Sequence, residues 1–281
     1  MAANIEVQKP HTSATQLESY CRCPEAYRRR YLEGEVIPPG VAALKGKGFH
    51  SGAEANFRQK IESHADMPAA HIVEAAVESF TMATKAGYSL TSDEVSRGVG
   101  AVIGEAKDDL AEMVEAHATL QAPDYQPVLV EEVVRIALPN SPRDLLGIID
   151  LADDQNRVTD FKTASKKKSQ SDADDSVQLS VYAAAFHARM GMPPQLVQLD
   201  AIVKTKRTTV RQVVSSTRDV HDLSALAHRI NAVTSAIQAG SFPPATPGAW
   251  WCTPKFCGYW STCPYVNSHR SALAEKGSEN E

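Results

Sequence analysis

Strand-like patterning falls at five places, 127–138, 145–152, 157–163, about 195–204 and about 207–214, in short runs bounded by turn formers. Helix-like spacing of apolar positions fills much of the rest. It predicts a helix over 44–60, Ala-rich helices over 69–86 and 92–121 broken at Gly87-Tyr88-Ser89, and helices over about 176–190 and 217–239. Near the start, Ser13 can cap a short helix through Ala14, Leu17 and Tyr20, and Pro24 suits the first position of another. Residues 1–12 lack periodicity and are expected to form a flexible arm, 166–175 a mobile polar stretch, and 266–281 a flexible tail. The expected class is α/β: a single domain over 13–265 with a mixed central sheet flanked by helices. A helical insertion at about 61–122 would stand as an arch or wall.

Chemistry enters at two of these strands. Gly147-Ile148-Ile149-Asp150 is followed ten residues later by Asp160-Phe161-Lys162, with the turn formers Asp153-Asp154-Gln155-Asn156 between them. On a strand, Asp160 and Lys162 share one side. A hairpin brings Asp150 back beside Asp160. Two carboxylates and one ammonium converging in this way suit a divalent-metal hydrolytic centre: the carboxylates hold a hard cation, and the lysine steadies the attacking water or the charge on a phosphate. The apolar approach Leu145-Leu146-Gly147-Ile148-Ile149 buries the strand that delivers Asp150. Gln178 and Tyr182 lie one helical turn apart on one face, where they could position the lysine side of the site and the substrate phosphate.

Composition narrows the picture. The chain has 281 residues, 43% hydrophobic and 22% charged, enough for one large domain. No apolar run approaches the ~20 residues that span a bilayer. The first residues, Met1-Ala2-Ala3-Asn4-Ile5-Glu6-Val7, lack the basic and apolar regions of a secretory signal, so an intracellular, cytoplasmic setting without a membrane is expected. A net charge of −5 argues against a strongly basic nucleic-acid binder. Local clusters argue the other way: Arg28-Arg29-Arg30, Lys166-Lys167-Lys168, and Lys204 with Lys206, Arg207 and Arg211. Arg28, Arg30, Lys166, Lys204, Lys206 and Arg207 are candidate phosphate contacts. Tyr27 and Tyr31 beside the arginines suit single-stranded nucleic acid, with core packing of the tyrosines as the plainer alternative.

Of five cysteines, Cys252, Cys257 and Cys263 lie close together, and Cys21 and Cys23 far upstream. In a reducing compartment such clustering points to metal rather than disulfides. Zinc sites pair their ligands in short knuckles, often with histidine, whereas iron–sulfur clusters accept irregular spacing and a distant fourth thiolate. Trp250, Trp251, Phe256, Tyr259 and Trp260 could shield such a cluster from water.

The order Gly46 to His50, Gly147 to Asp150, Asp160 to Lys162 and Gln178 to Tyr182 resembles the PD-(D/E)XK nuclease superfamily, and within it the RecB-like and CRISPR-associated iron–sulfur exonucleases. The resemblance runs from about Ser13 to Tyr265 and implies a restriction-endonuclease-like sheet with an iron–sulfur-stapled cap built from both ends of the chain. It implies His50, Asp150, Asp160 and the main chain at Phe161 as ligands of Mg²⁺ or Mn²⁺, with Lys162 catalytic and Gln178 and Tyr182 supporting. It further implies a glutamate on the strand at 127–138, either Glu131 or Glu132. For the cysteines it implies a 4Fe–4S cluster on Cys23, Cys252, Cys257 and Cys263. Cys23 precedes Pro24 as in the family, while Cys21, two residues away, remains an alternative.

The activity so implied is metal-dependent exonucleolytic hydrolysis of DNA from single-stranded ends, in repair, recombination, phage DNA processing or CRISPR adaptation, in a prokaryote or phage. No Gly-x-x-x-x-Gly-Lys loop is present, so unwinding would need a helicase or another CRISPR or recombination partner. Two other readings stay open: a non-catalytic DNA-binding or assembly module on the same fold, and a zinc-stapled structural protein.

Overall fold

A computed structural model describes residues 10–139 and 141–266. In chain order the elements are β1 (His11–Ser13), α1 (Ala14–Arg22), α2 (Pro24–Tyr27), a π-helical turn (Arg28–Leu32), α3 (Val41–Ser63), α4 (Ala69–Ala86), α5 (Ser92–Arg97) and α6 (Val99–Ala116). A second π-helical turn (His117–Gln121) precedes β2 (Pro127–Ile136), β3 (Asp144–Asp153) and β4 (Arg157–Ala164). Then come α7 (Gln170–Asp174), α8 (Val177–Met190), β5 (Leu196–Lys204), β6 (Thr209–Ser216) and α9 (Val220–Gln238). The described residues divide into two compact units, one within 10–14 and 39–231, the other within 15–38 and 232–266.

The larger unit is built on a six-stranded mixed sheet in the order β1-β3-β4-β5-β6, with β2 paired to β3. β2 lies antiparallel along the length of β3. β3's other edge is therefore shared, by β1 at Asp144–Leu146 and by β4 at Leu151 and Ala152. Between these two short ladders the edge is free of strand pairing, and Asp150 sits there.

Apolar residues cover both faces. Val130, Leu151, Phe161 and Ile202 pack with α3, α4 and α6, and the rings of Phe57 and Phe161 stack at 5.4 Å. Leu129, Val134, Ile149, Ala152, Val158 and Leu199 pack with Leu179, Ala183 and Phe186 of α8. The helices of the expected insertion are thus part of the core layer and not a free-standing arch: Ile72, Ala76 and Phe80 of α4 and Leu110 and Val114 of α6 are buried against α3.

Two further expectations give way. Residues 10–12 do not belong to a flexible arm. The Pro10 carbonyl accepts the Asp144 N–H at 3.0 Å, and buried Thr12 accepts Arg143 Nε at 3.0 Å. A three-residue strand is too short to carry a hydrophobic period. The rest of that arm, and the tail beyond Val266, lie outside the described residues. In the polar 166–175 stretch, Ser169 and Asp172 form a reciprocal capping box that starts α7.

In the smaller unit the early helices and the turn-rich segment 239–266 are tied residue by residue. Tyr20 Oη donates to the Ser241 carbonyl (2.6 Å), Trp251 Nε1 to that of Arg22 (3.2 Å) and Tyr259 Oη to that of Glu35 (2.7 Å).

Candidate metal centre and cysteine cavity

Asp150 reaches the gap in the β3 edge with both carboxylate oxygens engaged. Oδ2 accepts the Phe161 N–H at 3.0 Å and so replaces the missing ladder bond to β4. Oδ1 accepts the Tyr182 hydroxyl at 2.5 Å, and Gln178 Nε2 donates to the tyrosine oxygen at 2.7 Å. The two α8 residues are therefore placed on the carboxylate, not on the lysine side as expected. Burial, with Asp150 and Asp160 nearby, holds the tyrosine hydroxyl far above its ordinary titration range, so it stays a donor.

Close approach of α8 to β3 depends on Gly147. A Cβ there would lie 2.9 Å from Ala185 Cβ and 3.3 Å from Val181 Cγ1.

His50, halfway along α3, places Nδ1 3.4 Å from Asp150 Oδ2 and 3.8 Å from Glu131 Oε1. His50, Glu131 and Asp150 each offer a ligand atom, all within 4.8 Å of one another. Of the two glutamates left open by the sequence, Glu131 is the one in this group. Glu132 pairs with Arg189 at 2.9 Å, while Glu131 takes a left-handed backbone, φ +45°, at the point in β2 opposite Asp150. That conformation breaks the strict alternation of the strand, which is why spacing alone could not choose between them. Burial favours neutral His50, but Glu131, then Asp150 and Asp160, outweigh it and raise the imidazole's pKa.

Asp160 and Lys162 share a side of β4 as expected, with Lys162 Nζ 2.8 Å from Asp160 Oδ1. Asp160 is fully buried and stands outside the three-residue group. Its Oδ2 has no hydrogen-bond donor among the described residues, and burial raises its pKa despite the lysine. Phe161, expected to offer its main chain to a metal, gives its N–H to Asp150 and its ring to the core.

The profile of the PD-(D/E)XK nuclease superfamily matches residues 11–264. The chain belongs to this superfamily. No curated protein matches the sequence. Its fold is similar to the crystal structure of a "putative exonuclease" from Eubacterium rectale, at 11% identity and TM-score 0.52, over 95% of this chain and 94% of that one. The structure of SSO0001 matches at 13% identity and TM-score 0.44, over 93% and 89% of the two chains.

For a PD-(D/E)XK nuclease the basic clusters matter, and the structure sorts them. Lys206, Arg207, Lys166 and Arg30 are exposed. Lys204 is paired with Glu112 and with Asp109, and Arg28 with Glu25 and Glu33, so neither is a free phosphate contact. Arg211 is structural: it meets the fully buried Asp200 at 2.8 Å in a network with Gln121 and Tyr125. Sequence reasoning had no signal for that network, because its members come from three distant segments.

In the smaller unit Cys23, Cys252, Cys257 and Cys263 line one cavity, whereas Cys21 is exposed and not among its lining residues. Burial, then the neighbouring thiols of Cys252, Cys23 and Cys263, push the Cys257 thiol up. Buried Arg29 also lines this cavity. Its Nε and Nη2 grip Glu35 at 2.7 Å each, while Nη1 has no hydrogen-bond partner among the described residues. Of the aromatics expected to shield the thiols, Tyr259 is buried, but Trp250 and Phe256 are 62% and 56% exposed.

Proposed function

We propose that this protein is a Mg²⁺- or Mn²⁺-dependent deoxyribonuclease that hydrolyses phosphodiester bonds from single-stranded DNA ends. The observation that carries the reading is the convergence of His50, Glu131 and Asp150 beside the Asp160–Lys162 pair. The donor set fits a hard divalent cation with some tolerance for imidazole, and the unsatisfied, buried Oδ2 of Asp160 fits a nearby positive charge. His50, Glu131 and Asp150 would hold the ion, with Asp160 completing the carboxylate set. Bound there, a divalent cation supplies Lewis acidity and a water of lowered pKa.

The chain's own residues do the rest. Tyr182 and the Phe161 N–H fix both oxygens of Asp150, so the ligand is preorganised. Lys162, held by Asp160, presents an ammonium where it can orient the attacking water or stabilise charge developing on the phosphate. All of His50, Asp150, Asp160 and Lys162 being present favours an enzyme over a non-catalytic module on this fold. The exonuclease name given to the Eubacterium rectale structure supports the end-directed mode.

A 4Fe–4S cluster on Cys23, Cys252, Cys257 and Cys263 belongs to the same reading. Four thiols on one cavity and a guanidinium with a spare N–H suit a polyanionic group. A single zinc, with Zn–S bonds of ~2.3 Å, needs thiolates within about 4 Å of one another. The irregular spacing of the four cysteines, one far upstream and three near the end, suits the thiolates of a cluster.

End-labelled single- and double-stranded oligonucleotides test the activity. Asp150→Ala and Glu131→Ala are expected to remove nearly all cleavage while the fold persists, and chelation to abolish it until Mg²⁺ or Mn²⁺ is restored. Lys162→Ala is expected to slow single-turnover cleavage more than it weakens binding. Wild-type cleavage by Asp150→Ala, or an inert wild-type protein supplied with either metal, would remove the proposal.

A further inference from the structure

We propose that the exposed aromatic patch of the smaller unit is a stacking surface for unpaired nucleic-acid bases. Trp250 and Phe256 meet edge to face at 5.0 Å, and Trp251 meets Trp250 at 5.6 Å. Two cations border the rings: Arg22 lies 5.9 Å from the Trp251 ring centre and Lys255 5.8 Å from that of Phe256. Large rings left in water at more than half exposure, joined into one patch, mark an interaction surface rather than a core.

Charge selects the partner. In a chain of net charge −5, the segment 239–266 contains no aspartate or glutamate, and its one charged side chain is Lys255. An acidic polymer with flat apolar faces matches rings bordered by cations, which is the chemistry of single-stranded DNA or RNA. An ordinary protein partner would meet the rings but would not require the missing carboxylates. The rings are also preorganised. Trp250 and Trp251 directly precede Cys252, Phe256 directly precedes Cys257, and both cysteines line the four-thiol cavity. The Cys252 N–H donates to the Ala249 carbonyl at 2.9 Å and the Phe256 N–H to that of Thr253 at 3.1 Å, so turns hold both ring-bearing stretches.

This surface extends the nuclease reading without depending on the metal centre. The test uses the iron-replete full chain with divalent cations chelated, and anisotropy of labelled oligo-dT beside an abasic oligomer of equal length. Trp250→Ala/Phe256→Ala is expected to weaken oligo-dT at least about tenfold and to leave the abasic oligomer unchanged, because only bases stack. Lys255→Ala should lower the salt slope of binding by about one. All three tryptophans of the chain lie within 250–260, so oligo-dT, and not the abasic strand, should alter the emission of the unsubstituted protein. That measurement stands even where the double variant fails to fold. Unchanged emission, or equal oligo-dT binding by a folded double variant, overturns the proposal and leaves the patch to a protein partner. A protein that binds through the rings but never cleaves refutes the nuclease reading alone; one that cleaves with the rings uninvolved refutes only this surface.

Discussion

The hydroxyl of Tyr182 donates to Asp150 Oδ1 at 2.5 Å, across the junction of α8 with the unpaired edge of β3. In the proposed site the tyrosine would act on the metal through the carboxylate it holds. Tyr182→Phe keeps the packing and deletes that bond. It is expected to lower Mn²⁺ affinity or activity by about 10- to 100-fold, with little change in melting temperature. Isothermal titration beside single-turnover kinetics separates the two readouts, and a variant with wild-type values in both would make the contact incidental.

Gly147 sets the distance over which that bond is made. Gly147→Ala drives a methyl into Ala185 and Val181, overpacking that costs about 1–3 kcal/mol. The pressure displaces α8, so Mn²⁺ affinity should fall as well. Ala185→Gly, added to the first substitution, should restore part of the affinity even though glycine lowers helix stability.

His117 makes a pH prediction. It is fully buried among Phe49, Phe57 and Phe161, and burial depresses its pKa from 6.5 to about 4 despite a bond to Gln121. A depressed folded pKa means that the unfolded chain takes up the proton first. Stability is therefore complete above pH 6.5 and lost as the pH falls towards 4, by about 3 kcal/mol at most. His117→Phe should flatten the dependence of melting temperature on pH between 7 and 5. An unchanged slope would mean that other groups dominate acid destabilisation.

For the cysteines, Cys257→Ser and Cys263→Ser are expected to give colourless, poorly soluble protein of lower melting temperature, since the proposed cluster would join residue 23 to residue 263 across the cavity they line. Cys21→Ser should stay brown and active. Wild-type protein with stoichiometric zinc and no iron, after anaerobic preparation, would overturn the cluster.

Much of the site was legible because its residues lie on strands with a simple period. Asp160 and Lys162 had to share a side, and the turn at 153–156 had to return Asp150 beside them. The partners of those residues were not legible. Tyr182 and Gln178 were visible as a helical pair, but what they touch depends on how closely α8 approaches Gly147. Lys204 and Arg28 read as free cations because their acidic partners in the fold cannot be identified from the basic clusters alone. The short β1 strand escaped for want of length.

Glu131 holds its left-handed backbone in the middle of a strand, with φ at +45°. A long L side chain is disfavoured there, and folding alone would choose glycine or asparagine. The proposed metal site needs the carboxylate. The two demands collide at one position, so a library screened only for thermal resistance should discard Glu131 early, enriching small residues at 131 while the enzyme goes silent. Heat and turnover would then vote differently on the same codon.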